Sequence, residues 1–468
     1  MAVINNQRKI QHLLLRAGFG DTPQYMQKNS GRKLTEITNE LFKKSKNFTD
    51  IKLFDEADDM FQVGGARTKE EKSGIFKRSQ EKLKQLNLAW MDKLVSDEAQ
   101  LREKMTLFWH GHFACKGINA FFMQNQLNTI RKNSLGKFGD LLLAMCQDPA
   151  MLLYLNNQKN IKGKIDTSFA KELLNVFTLG KGTHTEKDTK EVARAFTGWG
   201  FDPNGVYTFT STLHDDEDKL FLGTRGKFTG EEVINLLLQQ KQTAKFITTK
   251  IYRYFVNENI DGNHIYTLSE NFYKSGYDLN ALMKEILNSK WFYEDKNIGV
   301  LIKSPIELLV NMKRTFGISF EDNKHMIFLQ KVLGQVLLYP SNVAGWSSGK
   351  ELIDSSSLML RLRLPEYIFN AAEIKLFPKE DGDVETDYLS EKDFDVLRPL
   401  VNWAEFGKPF IGQGQEKMLE GMANFLLQQP LNKKQIELIT KESDTLEKSN
   451  PVLIMAVKIT SLPEYQLC

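Results

Sequence analysis

The sequence predicts a mainly α protein, a large multi-helix globular domain with a small β-hairpin insertion near residues 200–226. Three observations predict it. Apolar residues recur at helical spacing through most of the chain, several of these runs open on helix-capping residues, and β-propensity is confined to one stretch. At 468 residues, 41% hydrophobic and 26% charged, the chain can bury a core that needs no disulfide staples.

Charge and composition exclude several classes. The 62 basic and 59 acidic residues leave a net charge of +3, which gives no global electrostatic case for nucleic acid or an anionic membrane. Cys115, Cys146 and Cys468 are too few and too far apart for a disulfide framework or a CxxC metal site, so free thiols are expected. No window approaches the ~18 apolar residues of a membrane span. The first ten residues lack an apolar signal core, so the expectation is a cytoplasmic protein, or a periplasmic or exported one if a leader is missing.

In chain order, Ile10, Leu13, Leu14 and Ala17 predict a helix over 5–16 that stops at Gly18-Phe19-Gly20, with His12 a packing or surface residue. A second helix is expected at 33–45 and an acidic, Gly-containing loop at Asp55–Gly65. Residues 68–98 mix both charge signs around an apolar stripe, which suggests a long solvent-facing helix or helix pair; the interrupting acids argue against a nucleic-acid arm. The segment 137–156 reads as a short apolar helix with Asp148-Pro149 as cap and first-turn proline. A polar loop follows at 156–160, then a helix capped by Asp166 or Thr167 and ended by Gly180.

Thr183-His184-Thr185-Glu186 fits a capping box for a helix ending near Gly198. After the turn Asp202–Gly205, Val206–Thr210 is expected to pair with Leu220–Gly223, with a charged His214–Asp218 connection. Helices resume at 231–240, 242–256 and 279–289. Ser304-Pro305-Ile306-Glu307 combines N-cap, first-turn proline and capping-box glutamate for a helix that stops near Gly317. A helix over 325–338 leads into the nonhelical loop 338–349, in which Trp346 is either a structural anchor or part of a functional loop. After a helix at 355–364 the acidic stretch Lys379–Asp387 is expected as a hinge or surface loop, dividing a domain at 1–370 from a helical extension at 371–468 packed on it.

The stretch Arg102–Phe113 concentrates chemistry, with three charged residues, the aromatics Phe108, Trp109 and Phe113 and a His-x-His pair. Residues two apart on an α-helix are separated by about 200°, so His110 and His112 can reach one metal only if Gly111 breaks the helix. Otherwise His112 is a core-edge residue satisfied by a hydrogen bond and His110 a more exposed one.

Several separated motifs carry a resemblance. They are His12–Gly20, Arg102–Phe113, Phe169–Leu174, Phe177–Gly180, Thr185–Asp188, Ala193–Trp199 and Pro340–Trp346. In order from about residue 8 to 365 the chain resembles the bacterial domain of unknown function 1800 family. That resemblance implies a predominantly helical domain with no assigned reaction. It also implies a partner of the domain of unknown function 1501 family, which is similar to sulfatases and alkaline phosphatases. Many relatives carry a leader before the first motif, whereas this chain begins at it. Where relatives have a histidine after the Glu-Leu run, this chain has Phe177, which weakens any metal reading that needs that position.

Two readings follow. As a metal-dependent enzyme, a hydrolase or oxidoreductase, the chain would gather His110, His112 and Glu172 around zinc, iron or manganese. Glu172 and His214 would be acid–base candidates, the 200–226 insertion a lid and the Trp346 loop a flank. As a helical binding or accessory subunit, it would use Arg102, Trp109, Asn342 and Trp346 as binding positions. The lack of a recognised nucleophile, phosphate loop or complete metal signature favours the second.

Overall fold

The computed structural model describes residues 5–55, 68–117, 119–369, 399–412, 414–444 and 450–468. It is 62% helical, with small two-stranded antiparallel sheets. The order begins with α1 (Asn6–Arg16), α2 (Pro23–Asn29), α3 (Leu34–Lys44), α4 (Lys69–Ser96), α5 (Gln100–His112), α6 (Ala120–Asn133), α7 (Phe138–Cys146) and α8 (Pro149–Tyr154). Next come α9 (Ser168–Glu172), α10 (Glu186–Ala195), α11 (Gly230–Leu238), α12 (Lys241–Phe255), α13 (Gly262–Lys274) and α14 (Leu279–Asn288). The last are α15 (Pro305–Phe316), α16 (Lys324–Val332), α17 (Ser355–Phe369), α18 (Trp403–Gly407), α19 (Gln415–Leu426), α20 (Lys433–Asp444) and α21 (Pro451–Thr460).

Local signals account for most of these starts. Asn5 accepts from the Arg8 amide to cap α1, and the Ser304–Glu307 capping box opens α15, which Gly317 closes at φ 63°. The box at α10 sits two residues later than expected, because Thr185 pairs with Asp188 rather than Thr183 with Glu186. The apolar segment 137–156 divides into α7 and α8, since the Asp148 cap and Pro149 start a new helix rather than continue one. After α9 the chain continues as a π-helix, Leu173–Thr178. The expected helix at 325–338 stops at Val332, and Leu338 takes a positive φ of 71°. Helices α2, α6 and α13 were not expected.

The single hairpin expected near 200–226 is two. Strands β1 (Trp199–Phe201) and β2 (Tyr207–Phe209) pair across the Asp202–Gly205 turn, while β3 (Lys219–Phe221) and β4 (Thr224–Gly226) close on each other. Leu222 and Gly223, at φ 49° and 80°, form a two-residue turn of the kind whose twist suits a hairpin, so Leu220 has a local partner and leaves β2 alone.

One continuous apolar core runs from Ile10 to Tyr465. Residues after 399 join it. Strand β5 (Ser319–Phe320) pairs with β6 (Pro399–Leu400), α21 packs on α17 and α19, and Leu301 and Cys468 exchange backbone hydrogen bonds. The boundary expected near 370, the acidic stretch Lys379–Asp387 and most of the loop Asp55–Gly65 lie outside the described residues.

Candidate functional site

Helix α5 runs unbroken through Gly111 to His112. The two histidines therefore point apart. The His110 ring lies against Trp90, with centroids 5.0 Å apart, and stacks on Trp346 at 5.3 Å and 17°. Neither of its nitrogens has a hydrogen-bond partner among the described residues, and burial pushes its pKa down to about 3. His112 instead meets the Phe177 carbonyl through Nε2 at 3.2 Å and the Lys250 ammonium through Nδ1 at 3.0 Å. A carbonyl only accepts, so Nε2 carries the proton and Nδ1 offers its lone pair. Burial and then the Lys250 charge hold His112 well below the ordinary histidine pKa.

Glu172 is half-buried, with burial raising its carboxyl, and lies outside the cleft that His112 lines. Among the described residues no three His, Cys, Asp or Glu side chains group to hold a metal ion, so the donor set expected from His110, His112 and Glu172 does not fit zinc, iron or manganese.

The other expected residues are mostly committed to structure. Arg102 donates through Nε to the Ser45 carbonyl at 2.6 Å and through Nη1 to the Arg131 and Lys132 carbonyls, with its guanidinium over Phe48. Trp109 is fully buried and donates to the Ser134 carbonyl. His214 bonds the backbone and hydroxyl of Thr197, in a loop fixed by an ion pair between Arg194 and Asp215. The 200–226 insertion packs on α10 and contributes nothing to the cleft wall, so it is not the lid expected of it. Asn342 is exposed and turns the loop by accepting from the Ala344 amide.

Trp346 does reach a cleft, of about 300 Å³. One wall is the α5 face Lys104, Leu107, Phe108 and Gly111, spaced by three and four. A second is the α12 face Lys250, Arg253 and Tyr254 with Glu258 just beyond it, and further lining comes from Arg16 of α1, Glu307 of α15 and its cap Ser304, the chain end Cys468 and the loop Ala344–Gly349. Two glycines let this loop press onto α5. Gly345 sits at φ 97°, where a Cβ would lie 2.3 Å from the Gly111 carbonyl oxygen, and a Cβ on Gly111 would only touch the Trp346 ring at 3.6 Å.

Both charge signs line the cleft, with the cations Arg16, Lys104, Lys250 and Arg253 in excess over the carboxylates Glu258 and Glu307. Lys104 pairs with Glu307, at side-chain exposures of 3% and 11%. Burial alone would raise the Glu307 carboxyl, but Lys104 and the Ser304 N–H more than offset it and hold it below its ordinary value. The same carboxylate faces three further buried cations, Arg16, Lys303 and Arg361. Cys468 contributes negative charge beside Arg16 and Lys303. Arg16 spends Nη2 on the Asn297 carbonyl, while its Nε and Nη1 have no partner among the described residues. On the opposite wall burial pushes Lys250 down to about 8, with no carboxylate contributing, and Arg253 is exposed beside it. The signals for these residues were weak. Arg16 and Lys104 stand among the apolar residues of helical runs, and only the Ser304–Glu307 box was distinctive.

Fold and cleft together define a mainly α protein with a cleft between helices in which cations outnumber carboxylates. Residues 12–467 match the family described as "Protein of unknown function (DUF1800)", and the chain belongs to that family. The match extends well past residue 365, through the C-terminal helices. No curated protein and no solved structure matches the chain.

Proposed function

We propose that this chain is a binding or accessory protein whose cleft takes a small anionic ligand with an apolar body. The observation that carries the reading is the excess of cations in the cleft wall, Arg16, Lys104, Lys250 and Arg253 against the carboxylates Glu258 and Glu307. Lys104 has Glu307, whereas Arg16, which shares the charge of Glu307 and Cys468 with other cations, keeps two N–H groups unpartnered among the described residues, and no described carboxylate offsets the burial of Lys250. Buried charge without a counter-charge is costly, and an anion in the cleft would supply one. Leu107, Phe108 and Trp346 would pack against the rest of the ligand.

The family resemblance adds the expectation of a sulfatase- or alkaline-phosphatase-like partner from the domain of unknown function 1501 family. Sulfate and phosphate, the anions such a partner would release, are therefore the first probes, followed by small aromatic carboxylates. Calorimetric titration of the full chain should give saturable binding that weakens with salt and is lost in Lys250→Met with Arg253→Ala. At a hundred times Kd, binding adds about 2.7 kcal/mol, which raises Tm by roughly 3 °C for a chain of this size. A folded protein with no saturable binding and no Tm shift for any of these probes overturns the reading. Pull-down of the partner on immobilised chain tests the accessory role separately.

A further inference from the structure

We propose that Lys250 is a carbonyl-capturing amine, forming an imine with an aldehyde or ketone bound in the cleft. Three of the four tetrahedral directions at its Nζ are used by Cε, by an N–H donated to His112 Nδ1 at 3.0 Å and by an N–H toward the Val176 carbonyl at 3.4 Å. In the neutral amine the fourth direction carries the lone pair, and the side chain lines the cleft. His112 cannot rotate to donate instead, because its Nε2–H is held by the Phe177 carbonyl. With no carboxylate among the described residues to stabilise the ammonium, the amine is partly free at neutral pH.

The step balances without a redox partner. The Nζ lone pair attacks the carbonyl carbon, the C=O π electrons become an alkoxide, and the nitrogen loses its protons to that oxygen. Water then leaves as the C=N bond forms. A carboxylate or phosphate on the ligand would be held by Arg16 and Arg253, so the preference for an anionic carbonyl compound rests on the function proposed above, whereas capture itself does not.

The test is reductive trapping of the full chain with glyoxylate, an anionic aldehyde, or acetaldehyde, a neutral one, in cyanoborohydride, followed by peptide mass mapping. Lys250 should be modified at least about tenfold faster than exposed Lys245 on the same helix, since each unit of lowered pKa gives tenfold more free amine. Lys250→Arg should lose the adduct and still bind sulfate or phosphate, and His112→Phe should slow trapping while keeping the ring packing. Modification that follows exposure alone, with Lys250 no faster than Lys245, overturns the proposal. If that result comes with intact anion binding, only capture falls. Equal trapping of both aldehydes without anion binding retains capture and removes the anionic preference.

Discussion

Replacing Glu307 by glutamine removes the one carboxylate that Lys104 pairs with and that also faces Arg16, Lys303 and Arg361. Lys104 is 3% exposed, so it cannot recover hydration without opening α5 from α15. Breaking a buried pair from one side costs about 3–5 kcal/mol. With an unfolding entropy of roughly 2.1 cal/mol/K per residue, this lowers Tm by about 3–5 °C. Glutamine still accepts from the Ser304 amide, so loss of the cap adds little. Lys104→Met alone should cost a similar amount, and the double variant Lys104→Met with Glu307→Gln should cost at least about 2 kcal/mol less than the two singles added, because neither member of the pair is then left stranded by loss of the other. The assay is thermal and urea unfolding of all variants at one pH. A drop below about 1 °C for Glu307→Gln, or strict additivity in the cycle, refutes the argument that this pair anchors the cleft. The pH dependence has a definite sign: the folded carboxyl lies below its unfolded value, so the stabilisation is present above the ordinary glutamate range of about pH 4.3 and is lost as pH falls through the folded value.

Gly345→Ala should cost about 1–3 kcal/mol and abolish ligand binding, because φ 97° and the Gly111 carbonyl both reject a Cβ; unchanged binding by calorimetry would show that the loop yields. His12, His110 and His112 are each held neutral by burial, with folded pKa values below the unfolded one of about 6.5. Each therefore makes stability fall by up to about 1.4 kcal/mol per pH unit once pH drops below that value, for His110 down to about pH 3. His110→Phe keeps the stack between Trp90 and Trp346 and should flatten the Tm-versus-pH curve between pH 6 and about pH 3; an unchanged slope contradicts the assignment. Elemental analysis should show the same metal content in the wild type and in His110→Ala with His112→Ala, and a stoichiometric metal lost with the pair would contradict the divergent geometry of the two rings.

Much of the helical architecture was readable from local signals. Proline at N1 with a Ser or Asp before it marked the starts of α8 and α15, because the orphan N–H groups of a first turn can be satisfied within four residues. The same locality misled at 200–226, where β-propensity marked the strands but pairing depended on a two-residue turn at Leu222-Gly223. Helices with weak patterning, such as α6, take their stability from neighbours on several sides, so no single apolar stripe announces them.

The cleft was less legible. His112 and Trp346 were singled out and both line it, but Arg102 and Trp109, from the same motif as His112, turn into the core. A helix shows its residues in all directions, and local spacing does not say which face meets a neighbour and which meets a void. Composition, caps and periodicity are properties of a few consecutive residues, and from them come the mainly α class, the free cysteines and the condition on Gly111. Whether Lys104 meets Glu307, whether Lys250 meets His112, and whether His110 lies under Trp346 depends on pairs separated by more than a hundred residues. Such pairs are chosen when the whole core closes, because burying a charge or a ring is favourable only where the packed neighbours supply its partner.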